Sequence, residues 1–159
     1  MQKRQVGTPY KLLHISSKAF KPNGIIPFKY TCEGEDINPP LDIDKIPFNA
    51  KSLVLIIEDP DAPAGIWLHW LAWNIPVIHH IRENEVPGDQ GLNDFGKKGY
   101  GGPCPPSGSH RYFFKIYALD DLLDVPEGSG KMNIEEAMHD HILAFGELVG
   151  IYKKYHYSK

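Results

Sequence analysis

The chain has 159 residues, 42% of them hydrophobic, with 17 Lys and Arg against 20 Asp and Glu for a formal net charge of -3. That length supports one substantial core, so a single domain over 1–159 is expected. The slight acidity and scattered basic residues leave no electrostatic footprint for nucleic acid, and no apolar run approaches the roughly 18 to 20 residues that cross a bilayer.

In chain order, Met1 to Ser17 carries early positive charge but no apolar stretch of signal-peptide length and no small-residue cleavage site, which predicts a soluble cytoplasmic protein. In that reducing compartment Cys32 and Cys104 are expected to stay as thiols. Frequent Gly and Pro, 15 and 14 of them, cut the chain into short segments. Strands are predicted at Leu12 to Ser16, Ile25 to Thr31, Ser52 to Glu58, Trp67 to Ile75, Tyr112 to Leu119 and near Val149 to Lys153. The pattern points to a mainly β sandwich or barrel. Trp67 to Ile75 is apolar on both faces, so it belongs at the centre, with a second sheet on one side and another element on the other. Asn84 to Ser109 is dense in Gly and Pro, lacks periodicity, and reads as a long functional loop. Near the C-terminus, Asn133 can cap a helix, with Glu136 at the capping-box position. Ile134, Ala137, Met138, Ile142, Phe145 and Leu148 recur at helical spacing, with Gly146 and Gly150 marking where the helix loosens and ends.

The chemistry gathers around Asp59-Pro60-Asp61-Ala62-Pro63. Two carboxylates sit on a turn that the prolines stiffen, directly after the apolar run Leu53 to Ile57. Side chains alternate along strands, so His110 and Tyr112 share one face, as do Trp67, His69 and Leu71. A carboxylate from Asp59 or Asp61 beside His69 or His110 would fix the imidazole tautomer and favour its protonated form, which attracts anions. The glycines of Gly99 to Ser109 could add backbone N–H donors to an anion-holding concavity, although turn geometry accounts for them equally well. Two histidines and a carboxylate also form a ligand set for iron or zinc, but no chelating spacing supports one, and neither metal nor cofactor is expected. His79 and His80, and His139 and His141 around Asp140 on the helix, read as ordinary polar positions. A hydrolase using Cys104 and His110 is a further alternative. The serines there lack the G-x-S-x-G elbow, and Pro103 and Pro105 keep Cys104 from a helix N-terminus.

These residues resemble the phosphatidylethanolamine-binding protein family, which includes Raf kinase inhibitor protein, and within it the small bacterial and archaeal members. The resemblance runs from Ile15 to Phe20 through Tyr30 to Gly34 and Asn38 to Leu41, as far as His141 to Ala144. Its strongest motifs are Asp59 to Pro63, and Gly101 to Pro106 leading into Gly108 to Tyr112. It implies a two-sheet antiparallel Greek-key-like sandwich with a C-terminal helix and a small anion pocket at one end. The implied pocket residues are Asp59, Asp61, Trp67, His69, Pro105, Pro106, His110 and Tyr112. The implied function is non-enzymatic binding of phosphate, phosphorylethanolamine or similar anionic groups. Inhibition of a serine protease or kinase through a surface loop is the alternative that the family suggests. The short stretch from Pro63 to Trp67 implies a trimmed pocket rim, and the C-terminus lacks the pocket-capping helix of eukaryotic members.

Overall fold

The computed structural model describes residues 10–154. The leader reading of Met1 to Ser17 therefore lies partly outside the described residues, as do both ends of the expected 1–159 domain. The described elements are β1 (Lys11–Leu12), β2 (His14–Ser16), β3 (Leu41–Asp44), β4 (Ser52–Asp59), β5 (Trp67–Ile75), β6 (His80–Ile81), β7 (Asp89–Gln90), β8 (Ser109–Leu119), α1 (Lys131–Met138) and β9 (Ile142–Lys153). They build two sheets, a six-stranded one in the order β1-β9-β8-β4-β5-β7 and a three-stranded one in the order β2-β3-β6. Every ladder is antiparallel except the parallel edge pair β1 and β9. The protein is thus mainly β, a two-sheet sandwich with one helix near its C-terminus.

β4 shows why the large sheet lies in the middle. Leu53, Leu55 and Ile57 join the core shared with Ile15, Leu41, Ile43 and Ile81 of the small sheet. The alternate residues Val54 and Ile56 pack with Leu71 and Trp73 of β5 under Ile134 and Met138 of α1. The central strands are therefore covered on both faces, by the small sheet and by the helix. The helix is tied down by charge as well: Glu58, buried on that face, accepts hydrogen bonds from Lys115 Nζ at 2.6 Å and from Lys131 Nζ at the start of α1. Burial alone would raise the Glu58 carboxyl, but the two ammonium groups outweigh it and hold the carboxyl below its usual range.

The C-terminal expectation needs correction. α1 stops at Met138, Gly130 and not Asn133 occupies its N-cap, and Ile142, Phe145 and Leu148 lie on β9. On that strand Ala144, Gly146, Leu148, Gly150 and Tyr152 are buried, a period of two. Gly146 and Gly150 serve close packing: a Cβ would come within 2.5 Å of Leu13 O at the first and 2.6 Å of Ile26 Cγ1 at the second. His139, Asp140 and His141 lie in the turn after the helix, where His141 Nδ1–H donates to Asp120 Oδ1 at 2.7 Å. Ile25 to Thr31 is not a strand either. Ile25 forms one isolated bridge to Ile151, and Phe28–Tyr30 is a 3-10 turn entered through Pro27. No helix among the described residues is long and apolar enough to cross a membrane.

Candidate functional site

β4 delivers Asp59 to the rim of the sandwich, and the following turn divides the labour of the two acids. Asp59 Oδ1 accepts the Asp61 N–H at 2.7 Å, which closes the turn. Its Oδ2 accepts from His110 Nδ1 at 2.6 Å, an ion-pair geometry with both side chains buried. Asp61 points away from this pair. Its carboxylate takes the Arg111 backbone N–H at 2.9 Å, Nε at 2.9 Å and Nη2 at 2.8 Å. The Arg111 guanidinium and N–H hold the Asp61 carboxyl down at about 2.

β5 contributes His69 through a departure from regular pairing. Ile57 faces Trp70 and Glu58 faces Leu68, which leaves His69 as the extra residue of a bulge. The bulge reverses the alternation: Trp67 and His69 face the cavity below it, whereas Leu71 turns to the helix side with Leu68. The expected common face of Trp67, His69 and Leu71 is therefore broken at Leu71. His69 is 3% exposed. Its Nδ1–H donates to Gly101 O at 2.7 Å, while Gly101 N–H donates back to His69 O at 2.9 Å. Burial pushes the His69 imidazole down, outweighing the Gly101 carbonyl and Asp59. Desolvation thus works against the protonated ring expected at His69 and exceeds the attraction of the Gly101 carbonyl and the Asp59 carboxylate.

The third wall comes from the long loop. Asp94 N–H donates to Leu68 O at 2.9 Å and Asp94 Oδ2 accepts the Leu68 N–H at 2.7 Å, pinning the loop to β5 and placing Phe95 beside Trp67 and His69. The N–H groups of Gly101 and Gly102 are committed to His69 O and Asp36 Oδ1, so neither is free to hold an anion. Cys104 is bonded to Cys32, with Cα atoms 5.4 Å apart. This overturns the expectation of two thiols. Cys32 N–H donates to Pro103 O at 3.1 Å and Tyr100 Oη–H to Tyr30 O at 2.7 Å, so the fold stitches together two loops distant in sequence.

Together these elements enclose a cavity of about 220 Å³. Asp59, Trp67, His69, Pro105, Pro106, His110 and Tyr112 line it, joined by Ala62, Pro63, Phe95 and Cys104. Asp61, singled out in the sequence, does not reach the wall; Phe95 and Cys104 do, and were not assigned to it. An aromatic inside a glycine-rich loop was the available signal for Phe95. The Tyr112 hydroxyl is buried with no acceptor for its proton among the described residues, and the Cys104 backbone lies against its oxygen. Burial, reinforced by Asp59, pushes that hydroxyl far up, so it stays a protonated donor. Among the described residues no cluster of three or more His, Cys, Asp or Glu is placed to hold a metal ion.

The sequence profile described as phosphatidylethanolamine-binding protein matches residues 16–153. The chain belongs to this family. A UPF0098 protein of Pyrococcus horikoshii is 50% identical over 149 residues, covering 87% of this chain and 75% of its own. A solved phosphatidylethanolamine-binding protein homologue from Chlamydia trachomatis superposes with a TM-score of 0.88 at 44% identity, covering 91% of this chain and 99% of its own. YbcL of Escherichia coli, described as a new member of the mammalian family, gives 0.82 at 28% identity, covering 90% and 99%. Family membership supports a ligand-binding protein, and the cavity brings Asp59, His69, His110 and Tyr112 to one largely apolar recess.

Proposed function

We propose that the protein binds small tetrahedral oxyanions, phosphate or a phosphoryl head group such as that of phosphorylethanolamine, without transforming them. The observation that carries this reading is the Tyr112 hydroxyl, a buried donor with no partner, at the wall of an otherwise largely apolar recess. A donor left bare inside a fold costs free energy, and a ligand oxygen would recover it. His110 is positioned to help. Its Nδ1 is held by Asp59, so the atom left for a ligand is Nε2, which is a charged donor when the ring carries its second proton. A volume of about 220 Å³ suits a head group better than a drug-sized molecule, whose sites run from roughly 300 Å³ upward. With Cys104 in a disulfide, the thiolate that the hydrolase alternative needs is not available, and Ser107 and Ser109 do not line the cavity.

His110→Asn tests the reading, because its amide keeps a donor near the Nδ1 position for Asp59 while deleting Nε2. Calorimetric titration with inorganic phosphate and phosphorylethanolamine should show at least about a tenfold loss of affinity, as expected for a charge-assisted hydrogen bond. Unchanged affinity in a variant whose circular dichroism matches wild type would discard the pocket as the anion site.

A further inference from the structure

His110 can donate to an oxyanion from Nε2, yet His69 is fixed in the opposite sense. A carbonyl oxygen can only accept, so the 2.7 Å contact between His69 Nδ1 and Gly101 O places the ring proton on Nδ1. The ring cannot turn over without losing that bond, and Gly101 is held in turn by its N–H on His69 O. Phe95 and Tyr112 pack against the imidazole with ring centroids 5.3 Å and 5.2 Å away, both rings near perpendicular to it. What remains for the cavity is Nε2, an unprotonated acceptor in the neutral ring. The Gly101 carbonyl favours a second proton most, followed by Asp59 at the end of β4, the Gly102 carbonyl and Asp36 in the loop after Tyr30. Burial outweighs all of these, and the groups facing the ring from β8 are His110 and Tyr112.

We propose that His69 makes the pocket selective for tetrahedral oxyanions that bring a proton of their own, hydrogen phosphate or a singly protonated phosphate monoester, over fully deprotonated ones such as sulfate. This rests on the oxyanion reading of the cavity and sharpens it. A protonated phosphate oxygen donates to His69 Nε2 while the unprotonated oxygens accept from Tyr112 and His110. Sulfate has the same shape and the same charge as hydrogen phosphate, but it offers His69 only lone pairs. In a largely apolar recess, that contact is repulsive and leaves Nε2 unbonded. A site built to bond a ligand hydroxyl rejects the analogue that lacks one far more strongly than an apolar pocket rejects a misfit.

The test compares inorganic phosphate with sulfate on the wild-type protein by calorimetry at about pH 7.5, where both anions are mainly divalent, at matched ionic strength. Phosphate should bind at least about tenfold more tightly than sulfate. Affinities within about threefold of each other overturn the proton requirement and leave the oxyanion pocket standing. Binding of neither overturns both. A second readout needs no ligand: long-range proton–nitrogen correlation spectra of the free protein should show His69 neutral with its proton on Nδ1. A proton on Nε2 sinks the proposal. In His69→Gln the amide at the Nε2 position can turn to donate, so sulfate affinity should rise toward that of phosphate. A folded variant that keeps wild-type selectivity counts against His69 as the discriminating residue.

Discussion

A buried hydroxyl without a partner costs a fold roughly 1–3 kcal/mol, and the Tyr112 hydroxyl stands in that position at 1% exposure. In the oxyanion site proposed above, the same hydroxyl donates to the ligand. Stability and binding should therefore respond in opposite directions to its removal. Tyr112→Phe keeps the ring that packs against His69 and loses only the oxygen, so thermal unfolding should be unchanged or shifted upward by about 1 kcal/mol. Phosphate affinity should fall about tenfold, the worth of one hydrogen bond to a charged group. A variant that binds phosphate as well as wild type would show that the hydroxyl serves something other than the ligand. Single residues of this kind were partly legible in the sequence. Asp59, His69 and His110 announced themselves as titratable groups at strand ends, and Tyr112 shares the alternation of His110. The direction each group faces was not legible, because the loop carbonyl that fixes His69 and the arginine that takes Asp61 come from distant stretches of chain.

At the scale of elements, β4, β5 and β8 could be read from runs of β-branched and aromatic residues, since buried central strands need apolar side chains on both faces. The failures have physical causes. β9 looks helical because glycines chosen for close approach to Leu13 and Ile26 resemble helix-ending glycines, and because Ile142, Phe145 and Leu148 keep a spacing of three although the strand buries every second residue from Ala144 to Tyr152. The bulge at His69 leaves no trace in composition, although it decides which residues of β5 face the cavity. β3, β6 and β7 are too short to carry a periodic signal. The docking of α1 was also hidden, because Glu58 reads as the polar end of an apolar strand. Its pairing with Lys115 and Lys131 gives a prediction at this scale. Glu58→Gln keeps hydrogen bonding but removes the charge, and should destabilise the protein by about 2 kcal/mol near neutral pH. The folded-state pKa of Glu58 is lowered, so its contribution is present above the unfolded value near 4.3 and lost as pH falls through the folded one. Denaturant titrations should therefore show wild type and variant converging below about pH 4. A gap that persists undiminished in acid would mean that packing and not charge holds the helix end.

For the whole molecule, the disulfide is the constraint that sequence reasoning missed and that couples stability to the site. Cys32 and Cys104 are 72 residues apart in sequence, and one of them forms part of the cavity wall next to Pro105 and Pro106. A loop of that length closed by a covalent bond removes entropy from the unfolded chain worth about 4 kcal/mol on the polymer estimate. In a protein of this size that corresponds to a melting temperature lower by roughly 10 °C when the bond is absent. Both cysteines are exposed, so a small dithiol can reach them in the folded protein. Two effects should then separate. The loss of stability acts on the unfolded chain and should appear equally in reduced wild type and in the paired substitution Cys32→Ser, Cys104→Ser. The loss of the clamp acts on the folded state, because the segment carrying Pro105 and Pro106 would be held from this side chiefly by the Cys32 N–H to Pro103 O bond. Phosphate affinity should therefore drop severalfold at temperatures well below melting, and amide exchange should quicken at Cys32 and Gly102, whose N–H groups bond to Pro103 O and Asp36 Oδ1, before it does in β4 or β8. If the paired variant melts lower but binds phosphate as tightly as wild type, the bond stabilises the fold without shaping the cavity.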